Sequence, residues 1–272
     1  MRPIIKTFCR MGLVFCAILS GIAIAHAQPA SVYLEDLTWP ELKAKVETGY
    51  TTAILPTGGT EQNGPHLAYG KHNYVVNAAA GRIAVSLGHS LVAPVITIVP
   101  EGTPDQPEGN LKFPGTLGLS EDTFERVLRD VAVSLARSGF TLICIIGDHG
   151  QSQPVQARVA QQLTEAWKQL GIRVINVSAY YDPDLEEREL RRLGFSKADL
   201  GDHGGIADTA ELMAVKPDAV RQGQVKLEQW TGSGPSGATG RPELATAQTG
   251  EFLLNLRVSN AVKQIQLALA RP

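Results

Sequence analysis

Short apolar runs alternate with helical patterns along residues 51–270, and this alternation constrains the fold more than any other feature. Residues 142–146 (LICII) carry no polar side chain, so this run is predicted to be a strand buried on both faces. Such strands are typical of parallel sheets that helices cover on both sides. We therefore predict an α/β fold: a single domain with a mostly parallel central sheet and helices on both faces.

The positions of the elements follow from the periodicity of the apolar residues. Strands are predicted at residues 51–56, 90–99, 141–146 and 172–179. Helices are predicted at residues 73–87, 120–137, 154–170, 207–214 and 252–270. The segment 231–240 is rich in Gly and Ser and is predicted to be a surface loop, because a helical pattern resumes soon after it.

Two polar, glycine-rich clusters, residues 58–66 and 147–151, come directly after predicted strands. In open α/β sheets, ligands bind just beyond the carboxyl ends of the strands. Placement alone therefore makes both clusters candidates for a functional site.

The first 27 residues have the features of a secretory signal peptide. Three cations precede an uncharged apolar stretch over residues 11–25, and an Ala-His-Ala run ends at residue 27. The alternative is an uncleaved membrane anchor, but the stretch is shorter than the roughly 20 residues that span a bilayer. We therefore predict that residues 1–27 are removed and that residues 28–272 form one domain, periplasmic or secreted, without stable insertion in the membrane.

The remaining chain is expected to be mildly acidic and to lack disulfides. The whole sequence has a formal net charge of −2, and removal of the signal peptide takes away three cations and no acids. Because there is no basic cluster, nucleic acid is not expected as a partner. Cys144 would be the one cysteine left, and its place in an apolar run indicates a core thiol rather than a nucleophile.

Four side chains, Glu61, His72, His149 and Asp208, offer the carboxylate and imidazole groups that hold a catalytic divalent metal. Such a metal lowers the pKa of water toward ~7 and polarises a carbonyl group, as amide hydrolysis at neutral pH requires. Their spacing leaves a second interpretation open, in which Glu61 caps a helix and His149 is a hydrogen-bonded loop histidine. The sequence contains no GxSxG, HExxH, CxxC or P-loop motif, so other mechanisms have less support.

Five segments, in order along the chain, resemble motifs of the creatininase (creatinine amidohydrolase) family. Residues 55–67 (LPTGGTEQNGPHL) are similar to the signature LPxGSTEQHGPHL, and residues 113–116 match its FPGT segment. Residues 147–150 (GDHG) stand where the family has NGHG. Residues 202–210 (DHGGIADTA) resemble HAGxxETS, and residues 240–251 resemble GDPxxATxxxGE. On these segments the chain is identified as a member of the family.

The resemblance implies a creatininase-like fold with one or two divalent metals at the carboxyl ends of the strands. It carries ligand roles onto Glu61 and His149, and onto His72 at the position of the family's ligand aspartate. It also implies that His203 takes part in proton transfer and that the preceding acid, Asp202, helps to hold the site.

Two ligand positions depart from the family pattern, because Asn63 replaces a histidine and His72 replaces an aspartate. A carboxylate can bridge two metals, whereas an imidazole binds one metal through one nitrogen. A neutral amide is also a poor ligand for transition metals. We therefore predict one metal per chain, zinc or alternatively manganese, held by Glu61, His72 and His149, with Asp208 as a further ligand or a base.

The predicted function is metal-dependent hydrolysis of a C–N bond in a small, non-peptide amide, with cyclic amides among the candidates. Two alternatives stay open: an exported peptidase or lactam hydrolase of the same family, and a catalytically retired member that binds a small ligand or a protein partner. The family also implies a homo-oligomer, although the sequence shows no interface.

Overall fold

The structure, a computed structural model, describes residues 31–229, 232 and 235–270. The predicted signal peptide lies outside these residues, as does part of the predicted loop 231–240. The helices, in chain order, are α1 (Trp39–Glu47), α2 (Lys71–Leu87), α3 (Glu121–Arg137), α4 (Gln153–Ala166), α5 (Pro183–Arg192), α6 (Lys197–Leu200), α7 (Ile206–Val215) and α8 (Ala247–Leu269). The strands are β1 (Thr52–Thr57), β2 (Ser90–Val92), β3 (Val99–Pro100), β4 (Gly118–Leu119), β5 (Leu142–Gly147) and β6 (Arg173–Asn176).

The central sheet of the described residues has four parallel strands in the order β2-β1-β5-β6. β1 and β5 pair along their full lengths, from Thr52 opposite Leu142 to Thr57 opposite Gly147. Their carboxyl ends therefore lie side by side, and the loops that follow them start from the same edge. A second, two-stranded parallel sheet joins β3 to β4.

Helices cover both faces of the central sheet, as the alternating contacts of β5 show. Ile143 and Ile145 pack in the core cluster that includes residues of α3 and α4. Cys144 and Ile146 point to the other side and pack with residues of α2 and α8. Successive side chains of a strand face opposite ways, so both sides of β5 are buried. The predicted single α/β domain is confirmed, and Cys144 is a buried core thiol.

The predicted strand 90–99 is wrong in its length, because its pairing with β1 is interrupted around Pro94. β2 ends at Val92, and after it Ala93 still donates its backbone N–H to the carbonyl of Ile54. The next bond to β1 runs from Ile96 to the carbonyl of Pro56, one residue later than a regular ladder requires, and prolines are tolerated at such bulges. Pairing resumes only at the bridge between Ile96 and Thr57, and β3 at residues 99–100 belongs to the other sheet.

The helix starts also differ from the predictions. α2 begins at Lys71, two residues before the predicted start, which places His72 in its first turn. α8 begins at Ala247 after Thr246, whose side chain accepts a hydrogen bond from the N–H of Thr249. Within the described residues, neither α8 nor any other helix combines the length and apolar character that a bilayer span requires.

Candidate metal centre

Three elements bring the predicted ligands together at the carboxyl edge of the sheet. Glu61 lies four residues past β1, His149 lies two residues past β5, and His72 lies in the first turn of α2. Glu61, His72 and His149 are all buried, and one ligand atom from each lies within 4.8 Å of the others. Residues that are far apart in sequence thus form one compact cluster.

Glu61 contacts both imidazoles through different oxygens. Its Oε1 lies 2.7 Å from His72 Nε2, and its Oε2 lies 3.5 Å from His149 Nε2. Asn110 donates a short hydrogen bond to Oε2. Glu61 therefore makes ion contacts rather than capping a helix, and His149 is more than a loop histidine bonded to the backbone.

Asp148 orients the ring of His72. Its Oδ2 lies 2.8 Å from His72 Nδ1, while its Oδ1 accepts hydrogen bonds from Tyr180 Oη at 2.9 Å and Arg257 Nη1 at 2.6 Å. A carboxylate on one imidazole nitrogen fixes the ring and makes the other nitrogen a better metal ligand. Here the other nitrogen, Nε2, is the one that faces Glu61.

The electrostatics of the cluster favour a negative Glu61 and a positive His149, whereas burial raises the pKa of Glu101. Burial alone would lower the pKa of His149, but the adjacent carboxylates of Glu101 and Glu61 raise it to about 9. Burial would raise the pKa of Glu61, yet His149 and His72 hold it well below the usual range. Because metal ligands must be deprotonated, a bound cation would displace the proton of His149.

These side chains fit a divalent transition metal. One carboxylate and two imidazoles form a set that is common in mononuclear zinc hydrolases. Within the described residues, both oxygens of Glu101 are buried without a hydrogen-bond partner, and its Oε1 lies on the Nε2 side of His149. Buried polar atoms of this kind require an explanation, and a cation bound among them supplies one.

Asp208 is engaged by other partners. Its Oδ1 lies 2.6 Å from Lys71 Nζ, and its Oδ2 accepts a hydrogen bond from the N–H of Gly204 at 2.7 Å. The structure therefore does not bring Asp208 into the cluster of Glu61, His72 and His149, and its role as a ligand or base stays a prediction.

His203 and Asp202 lie on the loop before α7, beside the cluster. His203 Nε2 lies 2.8 Å from the carbonyl of Gln62, within hydrogen-bond distance. Asp202 is exposed, and its backbone N–H donates to Thr239 Oγ1 at 2.8 Å. Among the described residues its side chain makes no hydrogen bond, so it is not seen to orient His203. The proposed roles of both residues stay predictions.

The described part of segment 231–240 contains exposed residues, as a surface loop does, and it contacts the loop before α7. The N–H of Thr239 donates to the carbonyl of His203 at 2.9 Å, and Thr239 Oγ1 accepts from Asp202. Ala238 is half-buried, and Thr239 is exposed. The segment was expected to be a loop from its composition, but its contacts with residues 202–203 depend on the fold.

Sequence reasoning missed several charged residues of the centre. Lys71 is 1% exposed. Its Nζ lies 2.9 Å from His72 Nε2 and donates a hydrogen bond to Asp208 Oδ1 at 2.6 Å. Arg257 projects from α8 and pairs with Glu186, Glu211 and Asp148. Nothing in the local sequence marks these residues as buried cations.

Glu101 was also missed, although a signal was present. It directly follows an apolar run, in the position after a predicted strand that drew attention to residues 58–66 and 147–151. In the structure it is 3% exposed, and its Oε1 lies 3.2 Å from His149 Nε2.

A cleft of about 340 Å³ opens beside the cluster. Its lining includes His72 and Asp148 from the centre, together with Asp202, Asp208 and Tyr181. The wall is mainly polar, so the cleft suits a small, polar molecule.

The sequence profile of the creatininase family, described as creatinine amidohydrolase, matches residues 35–265. The chain belongs to the creatininase family. This confirms the identification made from the five motifs, and it places the protein among hydrolases that act on amide C–N bonds.

Curated members of the creatininase family are similar over different lengths of the chain. A creatinine amidohydrolase of Pseudomonas putida is 28% identical over 195 residues, which are 70% of this chain and 74% of that protein. A mycofactocin precursor peptide peptidase of Mycolicibacterium smegmatis is 24% identical over 172 residues, or 61% of this chain and 59% of that protein. The names of these two relatives give them quite different substrates.

Solved structures of creatininase share the fold. A creatinine amidohydrolase crystal structure aligns with a TM-score of 0.71 and 22% identity, covering 88% of this chain and 98% of the other. A creatininase with manganese aligns with a TM-score of 0.70 and 22% identity, covering 88% and 99%. At this identity the likeness establishes the fold alone.

Proposed function

We propose that this protein is an exported, metal-dependent amidohydrolase that cleaves the C–N bond of a small, non-peptide amide. The observation that carries the proposal is the buried cluster of Glu61, His72 and His149 at the carboxyl edge of a creatininase fold. Membership of the creatininase family supports hydrolysis of an amide bond. Export rests on the signal-peptide features of residues 1–27.

The chain's own residues divide the work. Glu61, His72 and His149 would hold a divalent metal, which when bound would supply Lewis acidity toward water and the amide carbonyl. Asp148 keeps the ring of His72 in place. His203 donates a proton to the leaving nitrogen, which is the role that the family motif gives it.

Zinc, at one ion per chain, is the metal that this ligand set suits best. Two imidazoles favour zinc over manganese, which prefers oxygen ligands. Asn63 stands where the family has a second-site histidine, and it is used differently here: its Nδ2 donates to the backbone carbonyl of Glu61 at 3.1 Å. Gln151, where some family members have a glutamate, is exposed.

The substrate class follows from the size and polarity of the cleft. A volume of about 340 Å³ with a polar wall accommodates a small amide. The Pseudomonas putida relative acts on creatinine, and one creatininase variant was solved with creatine. Creatinine is therefore the first compound to test, followed by other cyclic and linear amides.

The deciding experiment is the metal content per chain of the purified protein, measured by elemental analysis after loading with Zn²⁺. We expect about one zinc in the parent and a clear loss in His72→Ala and in His149→Ala, because each variant removes one of three ligands. His89→Ala is the matched control, since His89 is exposed and stacks on Tyr50 away from the centre. An unchanged zinc content in both ligand variants would refute the proposed site.

One observation favours a second candidate, a retired enzyme that binds a small ligand. The ammonium group of Lys71 lies 2.9 Å from His72 Nε2 and competes with a metal for that nitrogen. In that case the loaded parent would retain no zinc, and no amide would be hydrolysed. Amino-terminal sequencing of protein from the periplasmic fraction tests export separately, and a start at Gln28 is expected.

A further inference from the structure

We propose that Glu101 is a fourth side-chain ligand of the metal centre, so that the site combines two carboxylates with two imidazoles. The inference rests on the proposed metal-dependent function and adds a ligand that none of the five family segments of this chain contains. It starts from an unusual feature of Glu101, which is a carboxylate that is buried without a hydrogen-bond partner.

Glu101 is 3% exposed, and neither of its oxygens makes a hydrogen bond within the described part of the chain. A carboxylate out of contact with water is strongly unfavourable unless a cation, a proton or hydrogen-bond donors compensate it. The other buried acids nearby have such partners: Asp148 has Arg257, and Asp208 has Lys71. Glu101 instead lies against the imidazole of His149, whose positive charge depends on an exchangeable proton that a bound metal would displace.

The carboxylate of Glu101 lies at the edge of the cluster, beside His149 and outside the three ligands whose atoms are all within 4.8 Å of one another. Its Oε1 lies 3.2 Å from His149 Nε2, without the alignment of a hydrogen bond. The same nitrogen lies 3.5 Å from Glu61 Oε2. Carboxylates from two separate loops thus approach one imidazole nitrogen, which is the arrangement of ligands around a shared cation.

The backbone at Gly59 lies close to both His72 and Glu101. A Cβ atom placed at Gly59 would lie 3.4 Å from His72 Cδ2 and 3.6 Å from Glu101 Oε1. Both side chains are therefore within van der Waals distance of one point. The absence of a side chain at Gly59 leaves the space between them open to a small ion.

The second sheet holds Glu101 in position. Glu101 directly follows β3, which pairs with β4 through Val99 opposite Gly118. A Cβ atom placed at Gly118 would lie only 3.0 Å from Glu101 Cβ, so the two backbones pack closely. The acid is thus presented by paired strands instead of a free loop, as a precise ligand position requires.

The charge of the four ligands defines the class of ion. Two carboxylates and two neutral imidazoles carry a formal charge of −2, which a divalent cation neutralises. Catalytic zinc sites usually have three protein ligands and an open position, and they can expand to five-coordinate, so a fourth side chain still leaves room for one further group.

The test measures metal binding directly. The metal-free protein and Glu101→Gln are titrated with Zn²⁺ in competition with a chromophoric chelator, and Co²⁺ is added to each to record its visible spectrum. Loss of a partner that only orients a ligand lowers metal affinity by about 10–100-fold. We expect Glu101→Gln to lower the Zn²⁺ affinity by more than about 100-fold and to change the Co²⁺ spectrum. Glu108→Gln, an exposed glutamate on the same loop, is the matched control and should behave like the parent.

Each outcome separates this inference from the proposed function. A parent that takes up neither Zn²⁺ nor Co²⁺ refutes the metal-dependent function itself. The ligand role of Glu101 alone is overturned if the parent binds Zn²⁺ and Glu101→Gln loses less than about 100-fold in Zn²⁺ affinity while keeping the parent's Co²⁺ spectrum. Circular dichroism checks the fold of each variant. If Glu101→Gln does not fold, Glu101→Asp is used, and an unchanged Co²⁺ spectrum in that variant overturns the inference.

Discussion

Two groups of buried charge lie side by side at the carboxyl edge of the sheet, and they are neutralised in different ways. The fixed-cation network contains Lys71 and Arg257 with their partners Asp208, Asp148, Glu186 and Glu211. The metal centre contains Glu61, His72, His149 and Glu101. Lys71 and Asp148 touch both groups through His72.

The difference lies in the kind of positive charge. Guanidinium and ammonium groups stay charged at any physiological pH, so the network is a permanent part of the fold. Imidazole exchanges its proton near neutral pH and binds metals in its neutral form. The comparison indicates that the network stabilises the edge of the sheet, whereas the centre is built for exchangeable cations.

The largest effect is expected for Arg257→Met, which leaves Asp148 and Glu186 buried without their cation. Breaking a buried ion pair by removing one partner costs about 3–5 kcal/mol of unfolding free energy. Urea denaturation measures it, with Arg82→Met as the control, because Arg82 pairs with Glu251 at the surface. If Arg257→Met lowered the unfolding free energy by less than ~1 kcal/mol, as the surface control should, the network could not be described as a stabilising part of the fold.

The second prediction concerns the pH dependence of the metal-free protein. The pKa of His149 is about 9 in the folded state, above the ordinary 6.5. Its stabilising contribution is therefore complete below about pH 6.5 and is lost as the pH rises through about 9. The integrated loss is roughly 3 kcal/mol.

Urea unfolding at pH 6.5 and pH 9.5 measures this change, and His149→Gln shows the background from other groups. The parent should lose more stability than the variant over this range. Equal losses would mean that His149 carries no exchangeable charge in the folded protein. Bound Zn²⁺ should reverse the trend, because metal binding strengthens as protons leave the ligands.

Lys71→Met should destabilise the protein by roughly 2 kcal/mol, less than Arg257→Met, because the side chain of its partner Asp208 is 24% exposed. Lys43→Met, at a surface pair with Glu47, is the matched control and should change little. In the double variant Lys71→Met with Asp208→Asn, much of the loss should be recovered. Additive losses would show that the two side chains are not coupled.

The smallest effect is expected for Asp148→Asn, which weakens the link between the two groups at His72. Loss of a partner that orients a metal-bound histidine lowers metal affinity by roughly tenfold or more. Chelator competition with Zn²⁺ measures the dissociation constant, and the number of zinc ions per chain should stay the same. An unchanged dissociation constant would mean that the orientation of His72 does not depend on Asp148.

Some of the fold could be read along the chain because the information is local. The run that became β5 is apolar and that of β1 is apolar between its terminal threonines, and both were predicted nearly to their ends. α3 was also predicted to within one residue, since Ser120 accepts a hydrogen bond from the N–H of Thr123 as a helix cap. The strand at 90–99 was predicted too long. The interruption of its pairing with β1 near Pro94 involves a neighbouring strand that the local sequence does not reveal.

The sequence alone determined which residue types can serve as metal ligands, but it did not determine how they are arranged. The motif around Glu61, the histidine at position 72 and the GDHG run at His149 supplied carboxylate and imidazole groups, and the structure brings these three together. Only the tertiary structure decided that Asp148 faces His72, that Glu101 points at His149 and that Lys71 and Arg257 are buried beside them. These contacts join residues from different loops and helices. They depend on the parallel register of β1 and β5 and on the first turn of α2, which no local pattern specifies.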